Sequence, residues 1–315
     1  MNTINFKEIT LQDRATITQY LRQDDFMISD ISFTNLYLWR NARRIEFCIL
    51  FDCLVIQTTY SGEEPFVFFP IGAGDKLSCL KALQKHYASL NVPFCFHSLE
   101  KHSLEILEHV FGDRVEARLN RDRSDYVYLV QDLIHLAGRK FHKKKNHLNR
   151  FFETYSDFSF EMIDSKNALE VLGVWESWSA DLSDTSRINE SNGIKDVLRN
   201  YESLNLKGGI LRVGGSGDSN RYSNGDSNRD SKGKIVAFSF GENLSHDICV
   251  IHIEKANTAY HGAYQAINQQ LLKHCFSDIK YVNREEDLGI EGLRKAKLSY
   301  NPHLILEKFE AVVQG

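Results

Sequence analysis

Glu254 lies in the run His252-Ile253-Glu254-Lys255-Ala256-Asn257, a strand end and loop that passes through Tyr260-His261-Gly262-Ala263 into a helix. By alternation along a strand, Glu254 shares a face with Ile248, Val250 and His252. A carboxylate at the end of such a buried row can act as a general base; it can equally be the salt-bridge partner of a lysine. The turn at Gly262 directs backbone N–H groups toward any bound anion, although a lone glycine there also serves ordinary turn chemistry. A second acidic group, Asn283-Arg284-Glu285-Glu286-Asp287-Leu288-Gly289, follows a strand. Loops in that position hold polar groups at a pocket rim, so Glu285 and Asp287 join Glu254 as candidate proton acceptors; the alternative is a charged helix-capping loop.

The complementary charge lies in Gly138–Phe152, GRKFHKKKNHLNRFF. At about 100° per residue, Phe141, Leu148 and Phe152 form an apolar stripe, and Lys143, Asn146, His147 and Arg150 gather opposite it. A helix with that face can hold phosphate, a carboxylate or an RNA backbone, with Arg150 making a forked contact and the lysines acting as point charges. A solvated surface helix is the other reading.

These groups belong to a chain of 315 residues, 42% hydrophobic and 25% charged, a length and composition that fit two soluble domains. With 38 Lys and Arg against 42 Asp and Glu, the chain as a whole is not built to coat nucleic acid, so an anion site must be local. No apolar run approaches the ~18–20 residues of a membrane-spanning helix, and the polar start MNTINFKEIT is unlike a signal peptide, which places the protein in the cytoplasm. The six scattered cysteines include no CxxC pair and indicate neither zinc nor a disulfide framework.

Apolar periodicity predicts two helices (one starting after Thr10, one over 33–39), strands at 45–50, 54–59 and 65–70, then helix, strand and helix to Phe111. From about residue 118 a similar order recurs: a strand at 126–130, the basic helix, a strand at 158–163 and two amphipathic helices. A hairpin of 234–241 with 247–254 follows, then a helix from Tyr264 to Cys275, a strand at 279–282, a short helix near Leu293 and a final strand around 304–309. Two mixed α/β units in tandem result, residues 1–117 and 118–315. A polar, Gly-rich insertion at 214–233 contains GDSNRYSN and GDSNRDSK in succession and reads as a mobile loop.

The segments GRKFHKKKNHLNRFF, IVAFSFGE, IHIEKAN with GAYQAIN, VNREEDLGIEGLRKAKLSYNP and FTNLYLW resemble an uncharacterised bacterial family (DUF2156-like). That family is grouped with the C-terminal domain of phosphatidylglycerol lysyltransferases. The resemblance implies an α+β fold of two tandem domains of the GCN5-related N-acyltransferase (GNAT) type, each a mixed, mostly antiparallel sheet flanked by helices. It further implies transfer of an activated acyl or aminoacyl group to an amine or hydroxyl, from aminoacyl-tRNA or from acetyl-CoA. The basic helix resembles that of the lysyltransferases at Gly138, Lys145, Asn146, Asn149 and Arg150, and Leu288-Gly289 matches a late loop. On this reading Lys143, Asn146, Asn149, Arg150, Lys255, Asn257 and Gly262 hold the donor, and Glu254, Glu285 or Asp287 takes the proton. A degenerate transferase that binds RNA or a nucleotide without chemistry is the alternative.

Overall fold

The computed structural model describes residues 4–214 and 232–315. The insertion expected as a mobile loop lies, apart from its ends, outside the described residues.

Strands β1 (Lys7–Glu8), β2 (Arg44–Leu50), β3 (Cys53–Thr59), β4 (Phe66–Val67), β5 (Phe94–Leu99) and β6 (Val115–Leu119) come first in the chain. They are followed by β7 (Asp125–Leu129), β8 (Ser159–Met162), β9 (Lys207–Val213), β10 (Lys234–Asn243), β11 (Ile248–Ala256), β12 (Tyr281–Asn283), β13 (Leu304–Leu306) and β14 (Phe309–Val313). The helices in order are α1 (Arg14–Leu21), α2 (Phe33–Trp39), α3 (Lys76–Leu90), α4 (Lys101–Phe111), α5 (Val130–His135) and α6 (His142–Thr154). Then come α7 (Ala168–Trp178), α8 (Thr185–Arg199), α9 (Tyr201–Leu204), α10 (Ala263–Cys275) and α11 (Glu291–Leu298).

Two seven-stranded sheets result, in the orders β1-β2-β3-β4-β5-β14-β6 and β13-β7-β12-β11-β10-β9-β8. Each is antiparallel except for one parallel pair, β4 with β5 and β11 with β12. Local chemistry explains the hairpins. Phe51 and Asp52 both take positive φ, 51° and 59°, the twist a two-residue connection between antiparallel strands requires, and Leu50 faces Cys53 across it.

The end of the chain crosses from the second sheet to the first. The last strand of the chain was expected with the second half as a single strand near 304–309. Two strands form there instead, and β14 crosses back to lie between β5 and β6 of the first sheet. Within the second sheet, β7 lies between β12 and β13. A division between residues 117 and 118 would pass through β6, and the first sheet is completed only by β14, from the C-terminal side of that point. Strand period and composition say nothing about which sheet an isolated strand joins, because that depends on long-range pairing.

Packing also joins the two halves. One core joins Ile17, Leu36, Phe47 and Ile56 of the first half to Val171, Trp175, Ile194 and Phe238 of the second. Helix α2 lies so close to α8 that a Cβ at Gly193 would stand 2.2 Å from the Leu38 carbonyl oxygen, which only glycine permits. The six cysteines are free, and among the described residues no helix is long and apolar enough to cross a membrane.

Candidate functional site

Strands β11 and β12 pair only at Ile248–Tyr281, Cys249–Val282 and Val250–Asn283. Beyond that point β11 continues to Ala256 along β10, while the chain after Asn283 turns away as the 284–290 loop. Polar groups from both sides face this opening. Glu254 Oε1 accepts from Arg284 Nη2 at 3.0 Å, and its Oε2 accepts from Asn268 Nδ2 of α10 at 2.9 Å. The Arg284 guanidinium lies 5.7 Å from the ring centre of Tyr128 and 4.8 Å from that of Tyr300. Its Nη1 is buried without a hydrogen-bond partner among the described residues.

Helix α6 borders this cluster. Its buried stripe is Phe141, Leu148 and Phe151; Phe152, expected on the stripe, is only partly buried against the same core. The spacing between Phe141 and Leu148 also carries Lys144 inward, i+3 from one and i−4 from the other. Its ammonium stands 4.1 Å from the Tyr300 ring centre, and burial and then Arg284 lower its pKa. A lysine on an apolar stripe was the signal in the sequence for this residue. Lys143, Asn146, Asn149 and Arg150 are exposed, as is Lys145.

Gly262 precedes α10 in the left-handed region, φ 85°, and a Cβ there would meet the His147 carbonyl oxygen at 2.4 Å and Phe151 Cβ at 2.9 Å. The glycine lets α6 pack on the start of α10, and a carbonyl oxygen approaches where a bound phosphate would need N–H groups. His147 Nδ1 lies 3.1 Å from His261 Nε2, and burial followed by His261 lowers the pKa of His147. Asn257 shapes the turn before the helix, its Oδ1 accepting from Ala259 N at 3.0 Å. Lys255, one residue from Glu254, faces the other side of the sheet by strand alternation. There it pairs with Glu190 at 2.7 Å over the Trp175 ring and does not join the cluster.

The other two acidic candidates are bound into the scaffold. Asp287 is 0% exposed and accepts from Tyr126 Oη at 2.5 Å, Gly289 N at 2.9 Å and Arg294 Nε and Nη2 at 2.9 and 2.8 Å. Burial opposes its charge, yet Arg294 and the other donors hold its carboxyl well below the usual range. It fixes the loop and has no free lone pair directed at a substrate proton. Glu285 accepts from His252 Nδ1 at 3.1 Å, and His252 Nε2 is 3.0 Å from Glu242 Oε1. With a carboxyl group on each ring nitrogen, His252 donates from both and is an imidazolium when both carboxyls are ionised; burial raises the pKa of Glu285, and the hydrogen bond with His252 opposes that rise. Lys297 completes the frame, its ammonium donating to the carbonyls of Arg284, Glu285 and Glu286 at 2.5, 3.0 and 2.6 Å.

Burial disfavours the charge on His252, but its hydrogen bonds to Glu242 and Glu285 push its pKa up to about 9, above the ordinary 6.5. A raised folded-state pKa contributes stability that is complete below about pH 6.5 and lost as pH rises toward 9. The stability gap between wild type and His252→Gln in urea denaturation should therefore shrink by on the order of 2–3 kcal/mol over that window. A gap independent of pH would mean a neutral His252.

Fold and site are those of a mixed α/β protein of two sheets with one parallel pair each, and an opening at the second pair faced by Arg284, Glu254 and a cationic helix. The model of the family Phosphatidylglycerol lysyltransferase, C-terminal, matches residues 25–312, and the chain belongs to that family. It is similar to a conserved protein of unknown function from Bacteroides thetaiotaomicron, 37% identical with a TM-score of 0.87, covering 99% of this chain and 100% of that one. L-PGS from Bacillus licheniformis is 15% identical with a TM-score of 0.64, covering 96% and 92% of the two chains, a likeness of fold alone. An uncharacterised protein of Mycoplasmoides gallisepticum is 22% identical over 260 residues, 81% of this chain and 77% of that protein. Family and fold relate the chain to the phosphatidylglycerol lysyltransferase C-terminal domains.

Proposed function

We propose that the chain transfers an aminoacyl group from a charged tRNA to an amine or hydroxyl acceptor, with the chemistry at the opening between β11 and β12. The observation that carries this reading is Arg284: a guanidinium fixed by Glu254 and two tyrosine rings that keeps one nitrogen, Nη1, without a hydrogen-bond partner among the described residues. A preorganised, desolvated donor of this kind stabilises the oxyanion that develops when a nucleophile attacks an ester carbonyl. Lys144 adds positive charge on the same side.

In the proposed reaction the acceptor's lone pair forms a bond to the aminoacyl carbonyl carbon, and the ester bond to the tRNA ribose breaks. His147, neutral near pH 7, accepts the acceptor's proton, which passes to the leaving ribose hydroxyl. Glu254 acts by holding Arg284, since both of its oxygens are engaged. The exposed face of Lys143, Lys145, Asn146, Asn149 and Arg150 receives the tRNA backbone. Acetyl-CoA is supported less, because the start of α10 is covered by α6 at Gly262.

The test is transfer from radiolabelled aminoacyl-tRNA by purified protein over a range of salt, alongside thermal stability titrated with charged tRNA, uncharged tRNA and acetyl-CoA. Transfer that weakens steeply with salt is expected. Stabilisation by acetyl-CoA alone would move the donor to CoA, and equal stabilisation by charged and uncharged tRNA without transfer would make the protein an RNA binder.

A further inference from the structure

The two sheets leave four edges, β1 and β6 in the first and β13 and β8 in the second. An open edge is a row of unpaired N–H and C=O groups that a further strand can join, and folds blunt it with short strands, proline or charge. β1 has two residues, and β13 has three, close behind Pro302. β8 carries Glu161 as its one charge, so a copy of itself offers no opposite sign. β6 differs from all three. It spans five residues, Val115-Glu116-Ala117-Arg118-Leu119, the last four are exposed, and among the described residues no strand lies beyond it.

The pairing with β14 fixes which backbone groups point outward. Asn120 N donates to Lys308 O and Gln314 N to Arg114 O, both at 2.8 Å, in the register that sets Glu310 opposite Arg118. Hydrogen-bonded pairs alternate along an antiparallel ladder, so Glu116 and Arg118 turn their backbone groups to β14, and Val115, Ala117 and Leu119 turn theirs to the open side. A second β6 laid antiparallel about Ala117 satisfies that row in full: Ala117 exchanges both bonds with its copy, and Val115 exchanges both with Leu119 of the copy. The same register sets Glu116 opposite Arg118 of the copy, twice. Charge on an edge ordinarily repels a like edge, but an acid and a base one step to either side of Ala117 make this edge complementary to itself. Arg118 is placed to serve, since its side chain stays 81% exposed while it pairs with Glu310 at 2.7 Å. Leu119, 44% exposed, would be covered beside Val115 of the copy. We propose that β6 is the docking edge for a second copy of this chain, which joins two first sheets into one across a two-fold axis at Ala117.

The experiment is sedimentation velocity of the full chain from about 1 to 500 µM, the range in which small, transient interfaces become populated. Concentration-dependent dimer formation is expected. Ala117→Pro should abolish it and leave the ladder with β14 whole, because the N–H it removes points outward. Glu116→Arg and Arg118→Glu should each raise the dissociation constant about tenfold or more, by setting like charges opposite one another. An equimolar mixture of these two variants should dimerise again, since each charge then meets its opposite. Recovery on mixing separates the edge contact from a folding defect in either variant. A monomer at every concentration, wild-type association in Ala117→Pro, or no recovery on mixing would overturn the proposal.

Discussion

Lys308→Met should destabilise the protein by roughly 3–5 kcal/mol, the cost of leaving buried carboxylates without their cation. Lys308 is 1% exposed. Its ammonium contacts Asp30 and lies 2.7 Å from Asp125 Oδ1 and 3.8 Å from Glu286. Asp125, itself 0% exposed, also accepts from Ser29 N at 2.7 Å and Asn283 Nδ2 at 2.8 Å. The cluster therefore ties the segment before α2 to β7, to the end of β12 and to the chain between β13 and β14, at the point where the chain crosses from the second sheet to the first. Met fills similar space and isolates the effect of charge. Urea denaturation would measure the loss, and Lys308→Met with Asp125→Asn should recover part of it, because removing both partners is milder than removing one. A loss under about 1 kcal/mol in the single variant would mean that the carboxylates find water or a proton at little cost.

The second large effect is catalytic and rests on the proposed reaction. Arg284→Gln should lower the rate of aminoacyl transfer about 10²–10³-fold, the range seen when one preorganised oxyanion donor is removed. Arg284→Lys should restore little, since a point charge cannot keep both the contact to Glu254 and the vacant nitrogen. Glu254→Gln should fall between these and wild type: it keeps a hydrogen-bonding group but releases the guanidinium from its ion pair. Single-turnover rates separate chemistry from binding, and Arg150→Ala should instead raise the donor concentration needed with the chemical step preserved. Equal loss of affinity and no loss of rate in Arg284→Gln would remove it from the transition state.

Much of this was legible in the chain. Periodicity located the basic helix, the 234–254 hairpin and the helix after Gly262, because burial of one face is written directly into residue spacing. The exposed cations of α6 followed from the same spacing, and Glu254 was placed at the end of a buried row. Lys144 was also within reach, since its position relative to Phe141 and Leu148 turns it toward the core. Single-residue roles in the acidic loop were not. Glu285 and Asp287 read as equivalent candidates, yet one holds a charged His252 and the other is surrounded by Arg294, Tyr126 and Gly289. Their partners come from β11, β7 and α11, which no local spacing connects.

By itself the sequence determined element type, the apolar faces and the location of charge, all set by interactions within a few residues. The tertiary structure alone decided that β14 completes the first sheet, which partners Lys255 and Glu254 find on the two sides of their strand, and that Arg284 is the group Glu254 holds. The physical reason is common to all three: each depends on a pairing between distant segments, and neither a strand's alternation nor a carboxylate's charge specifies its partner until the chain has closed the loop that brings them together.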